Sequence, residues 1–190
     1  MKNSIFPHSG FQYQSVGLVK GVYIPTNKKQ NKGKIIIDDI PYLARVMPKL
    51  AIFSSKKDLF KKEEENTFIT WLRFCKNKKY PYLVLKHLIS QNTNPSISEI
   101  KGSLQEFSVF GELTKLKHNQ IVVKVKRNIA INKNKNKEQN LPFTIPIEID
   151  EETYKRIKKA KLGSLCQTRC KLTTKKNLVM QDILIRPNLK

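Results

Sequence analysis

The sequence predicts a mainly β protein built from two small five-stranded Greek-key barrels, each with a short helix between its third and fourth strands. Three observations lead to this prediction. Apolar and polar residues alternate at a period of two in short stretches along much of the chain. The stretches fall into two sets, which the polar run at 90–101 separates. Each set also contains one segment that predicts a short helix, from apolar residues that can face a core in the first set and from capping residues in the second.

The second set carries the clearer pattern. Its strands are predicted, in chain order, at 107–113, 120–127, 142–149, 165–172 and 178–185. Pro146 cannot donate a ladder hydrogen bond, so we expect the third of these strands to be an edge strand or to carry a bulge. Asp150 is a predicted N-cap, and the basic helix at 153–161 that follows it is expected to stop at Gly163.

The first set predicts the same order of elements. Its strands are predicted at 11–25, 34–40, 42–47, 68–76 and 82–89, with one or two helical turns within 48–65. The two sets overlay as patterns, with Gly17 matching Gly111 and Cys75 matching Cys170. We therefore predict a flexible tail at 1–10, a first unit at 11–90, a linker at 91–104 and a second unit at 105–190.

The charge of the chain is strongly unbalanced. Lys and Arg number 37 against 15 Asp and Glu, which gives a formal net charge of +22. Such an excess predicts a polyanionic partner, nucleic acid first of all. A biased genome composition is a competing explanation, since Lys greatly outnumbers Arg, and Asn and Ile are abundant. That bias does not explain why acidic residues are not equally frequent.

The sequence contains no motif for catalysis or nucleotide binding of the P-loop, dinucleotide, zinc-protease or nucleophile-elbow type. Its three His residues have no fixed spacing to acidic residues. Cys166 and Cys170 share one face of a predicted strand, but no further ligands at zinc-binding spacing accompany them. The sequence therefore predicts a protein that is not an enzyme and has neither a cofactor nor a metal.

The three cysteines are best explained as small buried apolar residues, which predicts a reducing, intracellular compartment. No run of residues reaches the length of a membrane span, and the first ten residues lack the apolar core of a secretory signal. Cytoplasm or plastid stroma is the expected location.

The order of strands resembles that of OB-fold nucleic-acid-binding proteins. This likeness is general and lies in five strands with a helix between the third and the fourth. The chain is also similar to small uncharacterised proteins of cyanobacteria and algal plastids, which share the Gly within the first strand, the Pro142-Phe143 pair that opens the third, and the Gly before the fourth. The resemblance spans most of 11–187 without a diagnostic motif. It implies a module for single-stranded nucleic acid or for structured RNA in an assembly, and it transfers no functional residue.

The candidate binding residues are basic and aromatic side chains on strands 2 and 3, on the loops that join strands 1–2 and 4–5, and on the fourth strand of the first unit. In the first unit they are Lys28, Lys29, Lys32, Lys34, Tyr42, Arg45, Trp71, Arg73, Lys76, Lys78, Lys79 and Tyr80. In the second unit they are Lys115, Lys117, Lys124, Lys126, Arg127, Lys171, Lys175 and Lys176.

The aromatic residues divide unevenly between the units. Trp71 and Arg73 share one face of their strand, which predicts an exposed stacking surface unless Trp71 packs under a loop or against the second unit. We therefore expect base stacking mainly in the first unit and phosphate contacts in the second.

Two functions fit these patterns. The first is non-catalytic binding of single-stranded DNA or RNA through basic loops and exposed aromatics. The alternative is a basic structural or accessory subunit of a ribosome or RNA polymerase assembly. The Lys-rich segment 129–140 is predicted to be a mobile loop in either case, because it has almost no apolar side chain to bury.

Overall fold

The structure is a computed structural model that describes residues 14–56, 60, 64–74, 80–89, 103–126 and 142–186. Strands dominate it, which confirms the mainly β prediction. They are β1 (Gln14–Pro25), β2 (Lys32–Ile37), β3 (Ile40–Val46), β4 (Glu65–Phe74), β5 (Pro81–Ile89), β6 (Glu106–Lys117), β7 (Gln120–Val125), β8 (Phe143–Glu148), β9 (Leu165–Leu172) and β10 (Leu178–Arg186). The helices are α1 (Pro48–Lys56) and α2 (Glu151–Ile157).

Each set of five strands closes on itself through the same pairings. In the first set β1 pairs antiparallel with β2 and β4, β2 with β3, and β4 with β5, while β3 and β5 run parallel. In the second set β6 pairs with β7 and β9, β7 with β8, and β9 with β10, while β8 and β10 run parallel. The strand order 1-2-3-5-4-1, with a helix between strands 3 and 4, is that of an OB-like barrel. We call the two sets the first and second barrels.

The two barrels share one hydrogen-bonded sheet, which the sequence does not predict. β1 pairs antiparallel with β6, with Gln14 opposite Phe110 and Gly17 opposite Phe107. The predicted linker at 91–104 ends in this contact, because Leu104 forms an isolated bridge with Leu18. All ten described strands therefore belong to a single sheet.

The barrel interiors are filled as strand alternation requires. Every second side chain points inward, and the most buried of them are large and apolar. They include Phe68, Leu72, Leu83 and Leu85 in the first barrel, and Val109, Leu113, Ile121, Ile145 and Ile147 in the second. Cys166 and Cys170 also lie in this core, as predicted, and burial raises the pKa of both thiols to about 12.

Helix α2 begins as the sequence predicts. The backbone N–H of Thr153 donates to Oδ1 of Asp150 at 2.7 Å, which confirms Asp150 as the N-cap. Hydrogen bonds from Thr153 lower the pKa of Asp150. The helix ends at Ile157, earlier than predicted, and two further turns lead to Gly163, whose φ of 88° is accessible to glycine without strain.

The strand register corrects the predicted overlay of Gly17 with Gly111. A Cβ on Gly111 would lie 2.5 Å from the carbonyl oxygen of Lys124, in the neighbouring strand of the same barrel. Gly21, not Gly17, has the matching environment, since its Cβ would lie 2.2 Å from the carbonyl oxygen of Ile36. The two glycines therefore let the first and second strands of each barrel approach closely.

The same register gives Cys170 a counterpart among the described residues, whereas the predicted counterpart Cys75 lies outside them. Gly21 lies opposite Asn66 in β4, and Gly111 lies opposite Cys166 in β9. Four residues further along each strand, Thr70 therefore corresponds to Cys170. The side chains of both Thr70 and Cys170 are fully buried.

Pro146 limits one pairing, as expected for a residue without an N–H group. β8 meets β10 only where Val179 lies opposite Glu148. In the first barrel the corresponding pairing of β3 with β5 extends over three residues, from Ala44 to Val46. The expectation of an edge strand or a bulge is therefore wrong, because β8 has neighbours on both sides and pairs with β7 without a register shift.

Two predicted segments lie outside the described residues, namely the tail at 1–10 and the basic insertion at 129–140. Within the described part of the chain, neither helix has the length and apolarity needed to cross a membrane.

Candidate nucleic-acid interface

The outer face of β2 and β3 in the first barrel is basic. Lys32 and Lys34 alternate with core residues on β2, and Leu43 and Arg45 do so on β3, which leaves all four exposed. The register places Lys32 directly opposite Arg45 and Lys34 opposite Leu43. We call these four residues the basic face. Among the described residues, no carboxylate forms an ion pair with its three cations.

The turn between β1 and β2 adds two further cations. The side-chain carbonyl of Asn27 accepts hydrogen bonds from the backbone N–H groups of Asn31 and Lys32, at 3.2 and 3.1 Å. These bonds close the turn over its tip, where Lys28 and Lys29 are exposed. Four of the predicted lysines therefore lie along one continuous part of the first barrel.

A cleft of about 450 Å³ adjoins the basic face. Its lining residues are Lys34, Pro41, Tyr42, Leu43, Tyr80, Pro81 and Lys176. All but the last belong to the first barrel. Lys176 belongs to the turn between β9 and β10, so the second barrel contributes one wall. The Nζ atom of Lys176 lies 5.7 Å from the ring centre of Tyr42 and 5.9 Å from that of Tyr80.

Tyr42 differs from the expectation of an exposed aromatic residue. Its side chain belongs to the core, and the residue is 3% exposed. Its hydroxyl donates to the backbone oxygen of Thr173 in the second barrel at 2.9 Å. Burial, and to a smaller extent the nearby Asp38, raises the pKa of Tyr42 to about 12. Tyr42 thus links the two barrels and lines the cleft, while Tyr80, which also lines the cleft, is 48% exposed.

The predicted face of Trp71 and Arg73 is largely occupied by protein contacts. Lys86 lies over the ring of Trp71, with Nζ 4.8 Å from the ring centre, and Trp71 is half-buried. The guanidinium carbon of Arg73 lies 5.5 Å from the ring centre of Phe143 in the second barrel. Sequence reasoning missed Lys86, which the β4–β5 register brings beside Trp71.

The predicted cations of the second barrel are more dispersed. Nζ of Lys126 lies 2.6 Å from a carboxylate oxygen of Glu112, and Lys124 lies directly opposite Glu112 in the register. This carboxylate offsets part of the charge on β7. Lys115, Lys117, Lys171 and Lys175 are exposed. Lys76, Lys78, Lys79 and Arg127 lie outside the described residues.

The described residues include no group of three or more His, Cys, Asp or Glu side chains placed to share a metal ion. The described surface near the cleft therefore offers ammonium and guanidinium groups, aromatic rings and apolar side chains. These groups suit an anionic ligand with flat apolar faces.

Comparisons with known proteins add the fold. No protein-family model and no curated protein sequence matches this chain. The structure is similar to that of the wild-type single-stranded DNA binding protein from Thermus aquaticus, with a TM-score of 0.51 and 12% identity over 93% of this chain and 94% of that one. A deletion mutant of that protein gives a TM-score of 0.49 and 10% identity over 93% and 98% of the two chains. At these identities the similarity shows a shared fold and transfers no residue.

Proposed function

We propose that the protein binds single-stranded nucleic acid without catalysis, with the basic face of the first barrel as its principal contact. One observation carries the proposal. Lys32 and Arg45 lie directly opposite each other in an antiparallel pair, a placement in which like charges repel. No carboxylate among the described residues offsets them. A phosphate backbone would relieve this repulsion.

Two further arguments support the proposal. OB-like barrels present the outer face of strands 2 and 3 and the adjoining loops to oligonucleotides, and the basic face occupies that position. The fold is also similar to that of a protein whose name states single-stranded DNA binding. Phosphate contacts position a strand without reading its sequence. DNA and RNA share the phosphate and differ in the sugar, so phosphate contacts alone favour neither of them.

We propose that other basic residues among those predicted from the sequence contribute less to binding than the basic face does. The turn cations Lys28 and Lys29 extend the basic face, and the exposed lysines of the second barrel attract the strand at longer range. Lys76, Lys78, Lys79 and Arg127 belong to the same proposal on sequence grounds alone. We further propose that the two barrels are a tandem repeat of one unit, as their identical strand pairings favour.

A salt titration with matched variants tests the proposal. A fluorescein-labelled oligothymidylate of about 15 nucleotides would be titrated with protein at several salt concentrations, with anisotropy as the readout. Log affinity should fall linearly with log salt, with a slope of about 0.7 for each phosphate contacted. The triple variant Lys32→Gln, Lys34→Gln, Arg45→Gln should reduce that slope by about 2.

The control variant is Lys158→Gln, Lys159→Gln, Lys161→Gln. It removes the same charge from exposed positions after α2 and should leave the slope nearly unchanged. Equal losses in both triple variants would show that only net charge matters and would overturn the assignment of the basic face. Binding that is independent of salt, or absent, would overturn the proposed function.

The alternative of a ribosome or RNA polymerase subunit has no support from the fold comparison. Affinity of the isolated protein for short oligonucleotides separates the two functions, because an assembly subunit needs its assembled partner. The cellular location, cytoplasm or plastid stroma, stays a prediction.

A further inference from the structure

We propose that the second barrel completes the binding site of the first, and that the cleft between them takes one nucleotide of the bound strand. The base would stack on Tyr80, and its phosphate would lie between Lys34 and Lys176. This inference rests on the proposed function and adds the path of the strand, which runs from the basic face to the turn between β9 and β10.

The walls of the cleft suit a nucleobase. Pro41, Leu43 and Pro81 supply apolar surface, and the buried Tyr42 also lines the cleft. Tyr80, the second aromatic residue of the lining, is 48% exposed. The volume of about 450 Å³ lies within the range of small-ligand sites. A base has two apolar faces and stacks on aromatic side chains without regard to its identity.

The turn that carries Lys176 is fixed from both barrels. Its ends are joined by hydrogen bonds from Thr173 N to Asn177 O at 3.0 Å and from Lys176 N to Thr173 O at 2.9 Å. The side-chain amide of Asn177 donates to the carboxylate of Glu148 on β8. Tyr42 of the first barrel donates to the oxygen of Thr173. Lys176 is thereby held beside the cleft in advance of binding.

The charge at the cleft is suited to a phosphate. Lys34 approaches from β2 and Lys176 from the opposite barrel, so two ammonium groups flank an apolar space. Within the described part of the chain, neither forms an ion pair with a carboxylate. The ammonium of Lys176 lies near the outer limit of a cation–π contact with either tyrosine ring. A nucleotide combines the flat base and the anion that this arrangement requires.

Paired variants of single residues test the inference by anisotropy with the same labelled oligothymidylate. Lys176→Gln should reduce the salt slope by about 0.7, the value for one phosphate contact. Lys175→Gln removes the same charge from the neighbouring position, which is exposed and does not line the cleft, and should change the slope less. Tyr80→Ala should weaken binding about tenfold, and Tyr80→Phe should retain affinity.

A strand without bases isolates the stacking contribution. An abasic oligonucleotide of the same length and label keeps the phosphates and lacks the bases. The ratio of affinities for the two strands should be about tenfold smaller for Tyr80→Ala than for the natural protein. A ratio that is the same in both proteins would show that no base stacks on Tyr80 and would overturn the inference.

The two proposals fail in different ways. If Lys176→Gln and Tyr80→Ala bind like the natural protein while the triple variant of the basic face loses affinity, the cleft is no part of the site and only this inference falls. If the natural protein binds neither strand, the proposed function falls with it. Circular dichroism melting curves of each variant would confirm that the fold is retained.

Discussion

The two barrels have the same strand pairings but different chemistry on the corresponding outer face. The register matches Ile36 of β2 with Lys124 of β7, since each pairs beside the close-approach glycine of its barrel. Counting along the strands from that pair gives the remaining matches. Lys32, Lys34, Leu43 and Arg45 of the first barrel correspond to Gln120, Val122, Pro146 and Glu148 of the second.

The difference between the two faces has a structural counterpart. Glu148 stands where the first barrel has Arg45, and it accepts a hydrogen bond from Asn177 in the turn that reaches the cleft. On the second barrel this outer face thus holds the turn between β9 and β10 through Glu148. On the first barrel the corresponding residues are exposed to solvent. A net charge of +22 for the whole chain conceals this division, because it does not say which surface bears the unpaired cations.

The largest expected effect comes from reversing charge on the second strand of each barrel or directly after it. Lys32→Glu with Lys34→Glu should lower affinity for single-stranded oligonucleotide about a hundredfold at low salt, because two phosphate contacts become repulsive. Lys124→Glu with Lys126→Glu should lower it less than about tenfold, since Glu112 already offsets those lysines. Anisotropy titrations of both double variants at the same salt measure the difference. Equal losses would mean that the two faces contribute alike and that the contrast between the barrels has no functional meaning.

The next effect tests the architectural equivalence of the barrels. Gly21→Ala and Gly111→Ala should each lower the free energy of unfolding by about 2 kcal/mol, because the new Cβ meets a backbone oxygen at 2.2 or 2.5 Å and the strands must separate. Urea denaturation followed by circular dichroism provides the measurement. If only one of the two substitutions lowered the free energy of unfolding, the two glycines would not have the same structural role.

A smaller effect is expected at the contact between the barrels. Tyr42→Phe removes the hydrogen bond to Thr173 and should lower the free energy of unfolding by about 1 kcal/mol. Phe60, which is also buried in the first barrel but contacts Tyr23 and Phe68, is a suitable comparison site for Phe60→Leu. Only Tyr42→Phe should also weaken oligonucleotide binding, because it releases the turn that carries Lys176.

The same tyrosine gives a pH dependence of defined sign. Its pKa in the folded protein, about 12, lies above the ordinary value of 10.0, so the unfolded chain loses the phenol proton first. The contribution of the protonated Tyr42 phenol to the free energy of unfolding is therefore fully present below pH 10 and is lost as the pH rises toward 12. Melting temperatures should fall less over this range in Tyr42→Phe than in the natural protein. Both proteins keep Tyr23, whose pKa is also raised, so Tyr23 contributes to the fall in both melting curves.

Sequence reasoning predicted the elements of the fold well, because alternation and capping are local signals. β9 has the predicted bounds, and Asp150 caps α2 as expected. The order of strands follows from these elements and from the position of the helix in each half. A repeated order of short alternating stretches is therefore enough to indicate this barrel type.

Register and burial were less predictable, because they depend on residues far apart in the chain. The predicted overlay matched Gly111 with Gly17 instead of Gly21, an error of four residues. A glycine in a strand indicates that another backbone approaches closely, but the sequence does not say which strand that backbone belongs to. Tyr42 satisfies its hydroxyl with an oxygen 131 positions away, which no local pattern indicates. Arg73 is likewise half-buried by an aromatic ring of the other barrel. Alternation predicts which side chains point out of a barrel. It does not predict whether those side chains are exposed to solvent or packed against the other barrel.

Gly17 bears on how this protein could be divided or rearranged. A Cβ there would lie 2.2 Å from the backbone oxygen of Glu106, so the absence of a side chain lets β6 pair with the beginning of β1. β1 consequently has three neighbours, β2, β4 and β6. A half expressed alone would expose that strand edge, a template for association with other chains. A domain-swapping or shuffling experiment therefore has to treat the two barrels as one module.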